Sequence, residues 1–320
     1  MDANRLRWDG GPGHYEVHYV SLTDRASGVG VWIRYTLLAP LDGPPACALW
    51  LLAMDPERPG EHVGRKAAFP AAELQSAAEP FRLTVGGAQL TDRGATGAFD
   101  DVAWDLRWEP NGPAHHHVHP LLERARIART VLVLPHPDLA VQGTVSWADR
   151  GIELAGARGG QAHLWGSKHA TRWAWLHCND LGRSGAFVDG VSVVVPRFGR
   201  QIGPSTPVVG RFGGRDFAST GPLRVARNPS RFTLTSWEFE ARERGRRLVG
   251  AVDARREDLV GVTYHDPDGE RAYCYNTEVA SLRLQVWEGE RLVEELEAPR
   301  RAHFEYAQRE PLADVPLLVT

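Results

Sequence analysis

The chain has 320 residues, 42% hydrophobic and 24% charged, with a net charge of −3, so it can fill the cores of two ordinary domains. Lys66 and Lys168 are the only lysines, and the arginines are interspersed with acids, as in RRLVGAVDARRED. No basic stripe exists to neutralise phosphates, which argues against nucleic acid as a partner. No window approaches the roughly eighteen unbroken apolar residues of a spanning helix, and MDANRLRWDGGPGHYEVHY lacks the apolar stretch of a secretory signal. The expected location is cytoplasmic, with at most transient contact with a membrane surface.

In chain order, HYEVHYVSL (14–22), GVWIRYTLLA (30–39), ACALWLLAM (46–54), DVAWDLRWE (101–109), RTVLVLP (129–135) and AVQGTVSWA (140–148) read as strands. Each is rich in β-branched or aromatic residues and bounded by turn formers. The second half repeats the texture with GVSVVVPRF (190–198), RFTLTSWEFEA (231–241), RRLVGAVDA (246–254), LVGVTYHD (259–266), RAYCYNTEVASLRLQVWE (271–288) and RAHFEYAQR (301–309). DPDG at 266–269 is a strong hairpin turn, and GRFGGRDF (210–217) reads as strand and turn rather than a nucleotide loop. PAAELQSAAEP (70–80) and HPLLERARIA (119–128) are the helix candidates. The pattern predicts an all-β protein of antiparallel barrels or sandwiches. A glycine-rich break at 156–161 suggests two units, 1–158 and 159–320.

Cys47, Cys178 and Cys274 are widely spaced, without a CxxC pair, and read as reduced thiols. In HHHVH, His115, His117 and His119 would share a face if extended, which can suit zinc. No carboxylate ligand accompanies them, so neither a metal nor another cofactor is expected. No GxSxG, HExxH or phosphate-loop motif is present.

The densest stretch is HLWGSKHATRWAWLHCND (163–180). As a strand, its period of two sets Trp173, Trp175, His177 and Asn179 on one face, and Arg172, Ala174, Leu176, Cys178 and Asp180 on the other. The first face grades from aromatic to polar. Such a face suits a pocket that holds an apolar ligand and hydrogen-bonds one end of it, and equally suits the wall of a core. Upstream, His163 and Trp165 share a face before Gly166, and Lys168, His169 and Arg172 fall in or beside a loop. Late in the chain, Cys274, Asn276 and Glu278 alternate with Tyr273 and Tyr275, and His303 with Glu305 alternates with Phe304 and Tyr306. A buried His or carboxylate in such surroundings can act as acid or base, or can be a satisfied core hydrogen bond.

The span HPDLAVQGTVSWADRGIELAGARGGQAHLWGSKHATRWAWLHCND carries three linked elements: a P-x-P…V-x-G-x-V strand, H-x-W-G, and an aromatic W-x-W strand. It resembles the lipocalin-like superfamily that contains carotenoid 1,2-hydratase (hydroxyneurosporene synthase) and, more distantly, tocopherol cyclase. YEVHYVSLTDRASGVGVWIRYTL and AHFEYAQR are also similar to that group, so the likeness touches both halves. It implies two tandem lipocalin-like β-barrels with very little helix and an apolar cavity at or near their junction. It also implies a lipophilic small-molecule partner of isoprenoid, lipid or polyketide kind. Relatives protonate an alkene and let water or an internal nucleophile capture the cation, so an enzyme here would be a hydratase or cyclase. His177 and Glu305 are then the candidate catalytic residues. His163, Trp165, Arg172, Trp173, Trp175, Asn179, Tyr275, Asn276, His303 and Tyr306 are the candidate ligand contacts. The competing class is a carbohydrate-binding or glycan-processing β-sandwich, which would display its tryptophans on an open face.

Overall fold

The structure, a computed structural model, describes residues 3–119, 128–197 and 199–320. The first sheet contains β1 (His14–Thr23), β2 (Gly30–Ala39), β3 (Ala46–Met54), β4 (Val63–Pro70), β5 (Leu74–Ala78) and β6 (Phe81–Val85). It continues through β7 (Ala88–Thr91), β8 (Gly94–Phe99), β9 (Val102–Arg107), β10 (His115–His116), β11 (Thr130–Trp147) and β12 (Arg150–Gly166). The second contains β13 (Arg172–Cys178), β14 (Phe187–Arg197), β15 (Arg200–Ser205), β16 (Val208–Phe212), β17 (Arg215–Ser219) and β18 (Ser230–Phe232). It is completed by β19 (Ser236–Glu243), β20 (Arg246–Asp253), β21 (Val260–His265), β22 (Arg271–Glu288), β23 (Arg291–Gln308) and β24 (Leu317–Val319).

Strand order is β4-β3-β2-β1-β12-β11-β9-β8-β7-β6-β5 in the first sheet and β17-β16-β14-β13-β23-β22-β20-β19-β18 in the second. The pairings are antiparallel apart from the short parallel contact of β21 with β24. Each sheet curls round its own apolar core. The chain is therefore all-β, with two tandem lipocalin-like barrels and very little helix.

Alternation on the central strands explains the packing. On β1, Val20 and Leu22 fill the first barrel, while Tyr15, Val17 and Tyr19 face away from it. On β13, Ala174, Leu176 and Cys178 fill the second barrel, while Trp173 and Trp175 face away. The outward faces of β1, β2, β3, β13, β21 and β22 meet in a third core between the barrels. The junction strands are thus buried on both sides, and their sequences read as nearly continuous apolar runs.

Three segments differ from the sequence reading. Residues 70–80 are not a helix: a single 3-10 turn, Ala71–Glu73, leads into β5, which pairs with β6. Partnering along the sheet overrides the helical preference of the alanines. The runs 129–135 and 140–148 are one strand, β11, whose register slips around Pro135 and Pro137; the slips accommodate residues that cannot donate to a ladder. The candidate helix 119–128 lies, save for its end residues, outside the described residues. The glycine run 156–161 sits inside β12, and the chain passes between sheets at 167–171. Gly160 in it serves close approach: a Cβ there would lie 2.6 Å from His177 Nε2.

The crossing is held by Asp266 in the turn between β21 and β22. Its carboxylate accepts from the His169 backbone at 2.8 Å and from Arg309 Nη1 at 2.6 Å, and contacts His169 Nδ1 at 2.6 Å. Lys168 reaches Asp268 and Glu270 of the same turn, so it is a structural ion-pair partner.

The barrels touch most tightly where β2 meets β22. A Cβ on Gly30 would lie 2.3 Å from the Glu278 carbonyl oxygen, a backbone atom that cannot rotate away. Gly30→Ala is expected to cost about 1–3 kcal/mol of stability by overpacking. Gly60→Ala, where nothing lies within 4 Å, should stay within about 0.5 kcal/mol. Urea unfolding midpoints of the two variants check the difference.

Candidate functional site

The inter-barrel core contains most of the candidate site residues. Trp173, Trp175 and His177 of β13 project into it, joined by His303 and Glu305 of β23 and Asn276 of β22. Register sets Glu305 opposite Trp175 and His303 opposite His177. From the first barrel come Tyr19 of β1, Trp32 and Arg34 of β2, and Trp50 of β3; Tyr264 comes from β21. Tyr19 meets Trp175 edge-on at 5.7 Å, and Trp173 stacks on Tyr264 at 6.4 Å.

The apolar end holds a carboxyl group. Trp173 Nε1 donates to Glu305 Oε1 at 2.6 Å, and the Cys274 thiol to Oε2 at 3.3 Å. Burial raises the Glu305 pKa above the ordinary carboxylate range, and burial likewise keeps the Cys274 thiol protonated. The opposite end holds the Asp189 carboxylate. His117 Nε2 lies 2.9 Å from Asp189 Oδ1 and His177 Nδ1 3.0 Å from Oδ2, and Trp175 Nε1 donates to Oδ1 at 3.2 Å. Burial alone would raise the Asp189 pKa, but the two imidazoles override it and hold the carboxyl below its usual range. Beside it, His303 Nδ1 bonds Glu278. His177 Nε2 and Asn276 Nδ2 are buried and have no protein partner among the described residues.

This layer sets a carboxyl whose pKa burial raises against aromatic faces at one end, and at the other an imidazole held by Asp189 with its Nε2 packed against Gly160.

Other candidates lie elsewhere. His163 Nε2 contacts Glu16 Oε1 at 2.8 Å inside the first barrel, and Trp165 lies against its ring under the Arg7 guanidinium. Asn179 donates to the Gly159 carbonyl and the Asp138 carboxylate at 2.5 and 3.2 Å. Arg172 is exposed over Phe232, while Tyr275 and Tyr306 belong to the second barrel's core. In HHHVH, His115 packs edge-on against Phe187 and only His117 reaches Asp189, so these two do not converge. Glu16, His18 and His163 do converge, but the first and last are already engaged: Arg7 N and Trp8 N donate to Glu16, and His163 Nδ1 meets the Ala3 carbonyl.

Sequence reasoning did not single out Arg34 or Asp189. Each is the lone charge in an apolar strand, GVWIRYTLLA and FVDGVSVVV, and that isolation is the available signal. None of the eleven tryptophans is exposed, so the open platform required by the carbohydrate reading is not formed.

By fold the chain falls with double-barrel proteins of lipocalin-like type. It superposes on a candidate ATTH of Nitrosomonas europaea with a TM-score of 0.59 at 10% identity, over 93% of both chains. It superposes on kievitone hydratase of Nectria haematococca with a TM-score of 0.54 at 9% identity, over 93% of this chain and 89% of that one. No protein-family model matches the chain. In sequence it is 30% identical over 289 residues to an uncharacterized protein of Mycobacterium tuberculosis, found in two strains, spanning 88% of this chain and 83% of that protein. The chain belongs to the family of that mycobacterial protein.

The His18 imidazole, stacked on His163 at 3.8 Å, is held neutral by burial, which lowers its pKa from 6.5 to about 3. Between these values the unfolded chain binds the extra proton, so this group removes stability as pH falls below 6.5. The urea midpoint should drop between about pH 7 and pH 5, and His18→Gln, which keeps a donor for the Asn4 carbonyl, should flatten the drop.

Proposed function

We propose that the protein takes a lipophilic small molecule into the aromatic layer between its barrels and adds water across a carbon–carbon double bond of it. The observation that carries this reading is Glu305, a half-buried carboxyl whose pKa desolvation raises, hydrogen-bonded to Trp173 and set beside Trp175 and Tyr264. A neutral carboxylic acid in a dry aromatic site is the group needed to protonate an alkene, and the ring faces stabilise the cation that results.

In the proposed reaction the Glu305 proton forms a C–H bond at one alkene carbon, leaving a carbocation at the other. Water attacks that carbon, and its surplus proton passes to His177 Nε2, with Asp189 stabilising the imidazolium. Transfer of that proton back to Glu305 closes the cycle, so the net change is addition of one water. The isoprenoid-like class of substrate is supported by the sequence resemblance to carotenoid hydratases. A fold shared with a hydratase is compatible with it.

Unfolded Glu305 ionises near its ordinary value of 4.5, whereas the folded group stays protonated to higher pH. Stability from this site is therefore present below that value and falls as pH rises toward the raised one. Glu305→Gln should be at least as stable as the parent protein near pH 7, yet should lose about 100-fold or more of hydration rate. Incubating both proteins with a panel of prenyl alcohols in heavy water, and weighing products for gain of one water with carbon-bound deuterium, checks both parts. Unchanged turnover by the variant would sink the assignment.

A further inference from the structure

Arg34 is 4% exposed, yet no carboxylate pairs with its guanidinium among the described residues. Its Nε and Nη1 hydrogens have no acceptor there. Three aromatic rings surround it, with the guanidinium carbon 4.2 Å from the Tyr264 centroid, 5.1 Å from Trp32 and 5.6 Å from Trp50. Rings stacked on a guanidinium answer its charge through the flat faces, but its N–H bonds point outward in the plane and need acceptors. A buried guanidinium with two N–H groups unmet destabilises the empty protein. Glu305, across the layer, feels the Arg34 charge but makes no hydrogen bond to it, its oxygens meeting Trp173 and Cys274 instead.

We propose that Arg34 receives the anionic head group of the ligand, and that the molecule taken into this layer is a lipophilic carboxylate. The proposal rests on the reading of the layer as a ligand site and narrows its substrate class. A carboxylate brings one negative charge and two in-plane acceptors, which match a single planar cation. A phosphate monoester brings close to two charges. The neighbouring Lys66 is not free to share them: its ammonium sits 4.3 Å over the Trp50 ring and donates to the Thr320 carbonyl oxygen at 3.0 Å. The aromatic walls then accept the hydrocarbon part, and the head at Arg34 fixes which stretch of it lies against Glu305.

Titration calorimetry with lauric acid, dodecanol and dodecyl phosphate, matched in chain length, tests this on the full chain. The parent protein should bind lauric acid roughly tenfold or more tighter than dodecanol. Arg34→Met should bring that ratio to about one while leaving dodecanol affinity within about twofold, and Arg34→Lys should restore part of the preference. Unliganded Arg34→Met should also melt no lower than the parent, because the substitution removes an unanswered buried charge; a purely structural arginine would give a lower melting temperature. Equal binding of acid and alcohol by the parent protein overturns the role of Arg34 and leaves the lipophile site standing. Tighter binding of the phosphate overturns the carboxylate class. Failure of all three probes to bind overturns both readings.

Discussion

The structure depends on one contact, the face-to-face closure of two curved sheets through a layer that is itself a core. A barrel normally spends one face of each strand on its interior and the other on solvent. Here the central strands have no solvent face, and Tyr15, Trp32, Trp50, Trp173, Trp175 and Tyr264 are withdrawn from water on the side away from their barrels. Aromatic side chains suit that layer because they bury large areas while keeping a polar edge for a partner. Several use it: Trp173 reaches Glu305, Trp175 reaches Asp189, and Trp50 Nε1 donates to Thr36 at 3.1 Å.

Buried polar groups in such a layer are tolerable only when answered, and most are. Asp189 is met by Trp175 and His177 and lies beside His117, Glu278 is met by His303, and Asp266 by the crossing segment and Arg309. Among the described residues, the groups in this layer without protein partners include atoms of Arg34, His117, His169, His177 and Asn276, and they share it with Glu305, whose pKa burial raises. A satisfied network stabilises, whereas an unsatisfied edge within it marks where chemistry is reserved. In contrast, the polar cluster in the first barrel around Glu16 is closed by the backbone of Ala3, Asn4, Arg7 and Trp8.

The fold class was legible because period-two alternation and turn residues such as the 266–269 segment act locally. The composition of the two faces of β13 was legible too: Trp173, Trp175 and His177 against Ala174, Leu176 and Cys178. Which face fills a barrel was not, because both faces are apolar and alternation is blind to which partner lies beyond. The converging of Arg34 with Tyr264, or of His117 with Asp189, joins segments 72 to 230 positions apart and leaves no trace in local pattern. The glycines at 156–161 misled for a related reason. Gly160 is small because His177 of the other barrel rests on it, and nothing within β12 announces that neighbour.

The contact of Gly30 with the Glu278 carbonyl oxygen bears on how freely the halves can be exchanged. Where side chains meet, one partner can shrink as the other grows, and related proteins can drift apart by paired changes. A glycine lying against main chain has no such compensating move, since the opposing atom is the same whatever residue carries it. The separation of the sheets is pinned there. A chimera built from one barrel of this chain and one of a relative would therefore keep its seat only if both parents hold the two backbones equally close. The halves look like modules in outline, but they are inherited as a matched pair.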